Sequence, residues 1–168
     1  MEDLFNTHDN GAHFSECKKH RYALWRIWDS SKPNVMVIGL NPSTANESDN
    51  DPTIKKVIKV ARNNGFGGVY MMNLFSFVTA YPEQLIKDDN SLNDTWLSNI
   101  SKLCSKVVYA WGNFKIQPRD QEVMMMFPEA FAFHINKNGS PKHPLYCLDI
   151  TEFIRYSSVD QSILTKNQ

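Results

Sequence analysis

Apolar residues are spaced in two ways along the chain. Largely apolar runs at Val35 to Ile38, Val69 to Phe77 and Val107 to Trp111 alternate with segments whose apolar residues recur every three or four positions. A short uninterrupted run predicts a strand buried on both faces, and the wider spacing predicts a helix with one buried stripe. The alternation predicts a doubly wound α/β sandwich with a mainly parallel sheet.

The best-marked helix begins beyond the polar loop 46–50. Asp51 is a natural N-cap, Pro52 suits the first helical position, and Ile54, Val57, Ile58 and Ala61 make the buried stripe before Asn63-Asn64-Gly65 ends it. Lys55, Lys56, Lys59 and Arg62 lie off that stripe and read either as a solvated face or as a phosphate-facing patch. Further helical signals are the turn at Tyr81-Pro82-Glu83, a helix over 93–103 burying Trp96, Leu97, Ile100 and Leu103, and one over 121–126 whose methionines read as core filling. A last helix is predicted to start at Thr151.

Strand signals come earlier and later as well. Arg21 to Trp28 alternates large apolar with basic or small residues and predicts a strand, with a short helix as the alternative. Phe131 to Ile135 predicts another, and His134 within it reads as structural or exposed. Residues 1–16 read as a mobile arm or a covering segment and 157–168 as a frayed tail.

With 168 residues the chain is expected to be one domain, residues 1–168, able to bury a core unaided by disulfides or metals. The 18 basic residues offset the 18 acidic ones, so the overall field of a strong non-specific DNA binder is absent, although a local basic groove is compatible with neutrality. Cys17, Cys104 and Cys147 contain no C-x-x-C pair, which predicts neither a disulfide framework nor a zinc site, and fits a reduced cytoplasm. Glu2, Asp3 and Asp9 replace the apolar stretch of a signal peptide, and no run is long enough to span a membrane.

Chemistry concentrates where strands end. The run at 35–38 breaks at Gly39-Leu40-Asn41-Pro42-Ser43, which places Asn41, Ser43 and Thr44 at the carboxyl end of a buried strand, the edge where open α/β sheets hold ligands. Asn73, a polar residue in an apolar run, reads as a cap for the next turn or as a group that reads a ligand. Glu47, Asp49 and Asp51 are a third reading, a divalent-metal site, although Asp51 is already explained as a cap.

Four motifs, GLNPS at 39–43, MNLFSF at 72–77, VVYAWG at 107–112 and KHPLY at 142–146, resemble in order the elements of the uracil-DNA glycosylase superfamily. The stretch from RYALWRIW through NPSTA, DPT, NLF, AWG and GSPKHPLY, roughly residues 20–150, resembles more closely the bacterial and phage family termed domain of unknown function 1643. The superfamily resemblance implies a three-layer α/β/α fold, a nucleobase or nucleotide ligand, nucleic acid as a candidate partner, and no cofactor or metal. Asn41 would orient a water and His143 would stabilise the departing base, as catalytic residues of an N-glycosidic hydrolase. Asn73 and Phe75 would contact the base, Gly39, Leu40 and Pro42 would shape its pocket, and Ser43 and Ser140 would meet phosphate.

The sequence also departs from that pattern. The first loop lacks the catalytic Asp, Ser43-Thr44-Ala45 replaces the bulky pocket wall, and the late loop lacks the serines that pinch DNA phosphates. Asn41-Pro42 as a plain turn, His143-Pro144 as a loop anchor, Phe75 as core and Leu145 to Ile150 as a strand rather than a duplex wedge at Leu145 are the structural readings of the same residues. A non-catalytic nucleotide-binding or sequestering module is the alternative function.

Overall fold

Burial on both faces makes the central strand what it is. In the computed structural model, which describes residue 5, residues 7–87 and residues 89–156, Asn34–Gly39 (β3) sends Val35 and Val37 into one apolar cluster and Met36 and Ile38 into another. The first cluster is completed by Ile54, Val57, Ile58 and Ala61 of the helix Pro52–Asn63 (α1). The second takes Leu97 and Ile100 from Ser91–Ser101 (α2) and Val123 from Arg119–Met126 (α3).

The remaining strands are Asp9–Phe14 (β1), Arg21–Ile27 (β2), Gly68–Asn73 (β4), Lys106–Tyr109 (β5), Phe131–Ala132 (β6) and Ile154–Arg155 (β7). They form one seven-stranded sheet in the order β1-β2-β4-β3-β5-β6-β7. β4, β3, β5 and β6 pair in parallel, whereas β1 with β2, β2 with β4 and β6 with β7 are antiparallel. The expectation of a mainly parallel sheet is therefore corrected to a mixed α/β sheet. The cause is connection length: only six residues join β1 to β2, enough for an antiparallel return, whereas β3 reaches β4 through a whole helix.

α1 follows the sequence signals closely. Asp51 Oδ1 accepts from the Ile54 amide at 2.9 Å, and Pro52 occupies the first turn. The Arg21–Trp28 pattern folds as a strand, and Pro82–Gln84 forms a single 3₁₀ turn.

Other expectations change. Residues 9–14 are the edge strand β1 rather than part of a mobile arm, while the predicted tail at 157–168 lies outside the described residues. The segment after Thr151 is extended, because Asn64 holds both the Thr151 carbonyl and the Phe153 amide; β7 replaces the predicted helix. The strand expected over 69–77 ends at Asn73, and that over 131–135 is only two residues long. Helix α2 stops at Ser101, which leaves Leu103 57% exposed, and Met125 is 84% exposed, outside the core assigned to it. Leu145 to Ile150 is no strand: Pro144–Tyr146 is a 3₁₀ turn, and Leu145, Tyr146, Leu148 and Ile150 are exposed.

Candidate functional site

Three parallel strands, β3, β4 and β5, end on one edge of the sheet, and a cavity of about 210 Å³ lies there. Gly39, Leu40, Asn41 and Ser43 line it from the end of β3, Asn73 from the end of β4, and Ala110 from just beyond β5. His143 and Leu145 enter from the late loop, and Asp51, Thr53 and Ile54 from the start of α1. The cavity adjoins a groove of about 780 Å³, lined among others by Lys137, Asn138, Lys142 and Tyr146, with Phe114, His143 and Leu145 shared between the two.

The Gly39 to Ser43 segment is locked by its own polar groups. Gly39 O and Leu40 O accept from the amides of Leu74 and Phe75, which extends the pairing of β3 with β4 past the end of β4. Asn41 Nδ2 donates to Thr79 O at 2.8 Å and to Pro42 O at 3.0 Å, and Thr79 N returns a bond to Pro42 O. Asn41 Oδ1 carries no hydrogen bond from the described residues, so it is the half of the amide left for a ligand or water.

Asn73 is 2% exposed. Its amide, in the orientation that satisfies its surroundings, donates Nδ2 to Met72 O at 3.2 Å and Asn41 O at 3.3 Å. A Cβ on residue 39 would stand 3.1 Å from this amide and 2.8 Å from Met71 Cε, so the glycine is what lets the Asn73 side chain lie against β3. The Asn73 carbonyl is held in turn by Asn93 Nδ2 at 2.9 Å, and Arg119 Nε donates to Leu74 O at 2.8 Å while Arg119 Nη2 pairs with Asp94 at 2.6 Å. The end of β4 is thus fixed by α2 and α3 from the far side of the sheet.

His143 Nδ1 accepts from the Leu145 amide at 3.2 Å, which assigns the proton of the neutral ring to Nε2. Burial lowers the pKa of His143 below the ordinary 6.5, and the negative charge of Asp51 opposes that shift. Gly112, at φ +79°, turns the chain beside it and donates its amide to Pro141 O, so the turn after β5 sets the position of the late loop. Lys56 fastens the same loop to α1 by pairing with Asp149 at 2.7 Å and donating to Cys147 O at 2.9 Å. That lysine, one of the candidate phosphate cations, is committed to the loop.

Of the residues expected from sequence, Asn41, His143, Gly39, Leu40, Ser43 and Asn73 come together in the one cavity. Pro42 is buried behind its turn. Phe75 is 3% exposed within the second core cluster, and Lys87 lies over its ring, so it is core rather than a stacking platform. Ser140 bonds Asn136 and Asn138 inside its own loop and lines neither cavity nor groove. Glu47, Asp49 and Asp51 do not gather: among the described residues no three His, Cys, Asp or Glu side chains form a metal-type cluster.

Sequence reasoning missed Arg21, Asp51 and Thr53 as cavity residues. The signal for Arg21 was present, because a basic residue inside a strand that buries its neighbours needs a reason to be there.

No curated protein and no solved structure matches the chain. Among the described residues no helix is long and apolar enough to cross a membrane. A family model described as protein of unknown function, DUF1643, matches residues 21–145, which run from the first residue of β2 to the cavity residue Leu145. With most of its 168 residues covered by that match, the chain belongs to the DUF1643 family.

Proposed function

We propose that the protein binds a nucleobase or nucleotide in the cavity at the ends of β3, β4 and β5, and that it hydrolyses the ligand's N-glycosidic bond. The observation that carries this reading is that Asn41, Asn73 and His143, from three separate segments, line one cavity. The three-layer α/β/α architecture of the uracil-DNA glycosylase superfamily belongs to the same proposal. What supports it is the pair of core clusters, one holding α1 and the other α2 and α3, that receive alternate residues of β3.

In the proposed reaction the C1′–N bond breaks with its electron pair passing to the base, and water adds its oxygen to C1′. Asn41 Oδ1 accepts from that water and orients it. Neutral His143 donates from Nε2 to the base as it gains charge; the added water releases a proton to solvent, and the departed base takes one up from solvent. Asn73 contacts the base edge. Nucleic acid is the larger form of the ligand, and Lys137 and Lys142 on the adjoining groove are the cations available to its backbone.

One observation favours capture without cleavage as the second reading. Asn41 is an amide whose nitrogen is already spent on the 77–79 segment, so it positions a water but does not take its proton. Oligonucleotides and free nucleotides bearing uracil, mismatched or modified bases separate the two: release of free base, lost in Asn41→Ala and His143→Ala, supports hydrolysis. Tight binding with the ligand recovered intact supports capture, and neither binding nor base release removes both.

A further inference from the structure

Strand β2 carries two buried arginines, and they are used differently. Arg26 is satisfied within the protein: Nε donates to Asn50 Oδ1, Nη1 to Trp25 O and Nη2 to Asn46 O, with Gly11 O and Asp49 O as longer contacts. It ties the loop 46–50 to the sheet. The side chain of Arg21, a residue 3% exposed, makes one hydrogen bond among the described residues, from Nη1 to Ala45 O at 2.9 Å. Its Nε is buried with no acceptor, and among the described residues Nη2 donates to nothing and no carboxylate pairs with the guanidinium.

Arg21 also lines the cavity. Burial lowers its pKa to about 10, so it is still a cation at neutral pH. A buried guanidinium with idle donors and no ion pair is costly unless something negative completes it.

Two other residues that line the same cavity, Thr53 and Ser43, offer donors without partners among the described residues. Thr53 is the second residue of α1, so its amide has no acceptor within the helix. Neither its hydroxyl nor that of Ser43 makes a hydrogen bond to the described residues, and both residues line the cavity with Arg21. The positive end of the α1 dipole points the same way. One group opposes an anion: Asp51, whose Oδ1 caps α1, also lines the cavity and is the acidic residue acting on the Arg21 charge.

We infer that this end of the cavity is an oxyanion subsite, in which the Arg21 guanidinium, the Thr53 amide and hydroxyl and the Ser43 hydroxyl hold a phosphate group of the ligand. The inference deepens the nucleotide reading above and rests on it for the identity of the rest of the ligand. It makes the ligand a nucleoside phosphate or a phosphodiester rather than a free base or nucleoside. A carboxylate offers similar chemistry, and the test separates the two.

Inorganic phosphate is the first probe, titrated at constant ionic strength against chloride and acetate while the melting temperature of the full chain is followed. The subsite predicts a rise with phosphate beyond that with chloride. Arg21→Gln should weaken phosphate binding at least about tenfold, the loss of one charge-assisted contact, and Thr53→Val should weaken it less. Asp51→Asn keeps an N-cap of equal quality while removing the opposing charge, and should tighten binding. That opposite sign is what a purely structural Arg21 would not produce, and it keeps the test decisive if Arg21→Gln fails to fold. An equal, Arg21-dependent response to acetate keeps the oxyanion subsite and assigns it to a carboxylate ligand.

No phosphate response beyond chloride, or a response unchanged in both Arg21→Gln and Asp51→Asn, overturns the inference. A nucleoside arm separates it from the reading beneath it. Nucleosides that bind as well as their 5′-monophosphates overturn the subsite and leave the base pocket standing. Inorganic phosphate that binds as well as the monophosphates supports the subsite and removes the base pocket.

Discussion

Asn41 Nδ2 donates to the carbonyl oxygen of Thr79 at 2.8 Å, and this bond joins the loop after β3 to the segment after β4, both of which line the cavity. It gives Asn41 a structural duty beside its proposed role with water. The two duties fall on different atoms, since nitrogen faces three carbonyls, of Pro42, Phe77 and Thr79, and oxygen is left over.

Asn41→Asp is therefore expected to be worse for stability than its small change in shape suggests. The carboxylate cannot donate, and it would set a negative charge against those carbonyls. A loss of about 1–3 kcal/mol is expected, the cost of leaving buried polar groups unpaired, read from urea unfolding midpoints against wild type and Asn41→Ala.

Asp51 separates helix capping from charge. Asp51→Ala removes the acceptor for the Ile54 amide and should cost about 1 kcal/mol. Asp51→Asn caps equally well and removes only the charge that acts on the buried Arg21, so it should cost less than Asp51→Ala. Chemical denaturation of the pair measures the cap alone, with no phosphate present.

His143 predicts a pH effect with a definite sign. Burial holds its folded pKa below the 6.5 of an unfolded chain, so between those two values the unfolded chain binds more protons. The contribution to stability is fully present above pH 6.5 and is lost as pH falls from there through the folded value. The stability profile of His143→Gln should be flatter than wild type over that window. NMR titration of the His143 ring gives the folded value directly, and a midpoint at or above 6.5 would contradict the lowering.

A side chain at Gly112 should be destabilising. Its φ of +79° is a left-handed conformation, and a Cβ there would stand 3.4 Å from His143 Cβ and from the Phe114 ring. Gly112→Ala is expected to cost about 1–2 kcal/mol from backbone strain. Because the turn positions the late loop, ligand binding should weaken along with stability. Unfolding midpoints and calorimetric titration with a nucleoside monophosphate measure the two effects.

Much of the framework was legible in the sequence because local and global preferences agree there. The apolar run at 35–38, the Asp51-Pro52 start and the 3.6-residue stripe of α1 are each unambiguous locally, and the strand and helix they predict are present. Elements misread lie where a distant partner overrules local pattern. Asn64 draws residues 151–153 into an extended path, and the β1–β2 hairpin supplies a strand where the polar composition of residues 1–16 suggested none.

The same division holds for the site. The end of the 35–38 run marked Asn41 and Ser43 as candidates and a polar residue inside an apolar run marked Asn73, whereas His143 came from the resemblance carried by its KHPLY motif. Their gathering into one cavity, the burial of Phe75 in the core and the turning of Ser140 into its own loop depended on packing between segments far apart in the chain. Arg21 and Arg26 show the limit most clearly. Both are arginines in the same apolar strand, and only the fold, by bringing the 46–50 loop to one and an open cavity to the other, left one satisfied and the other with donors to spare.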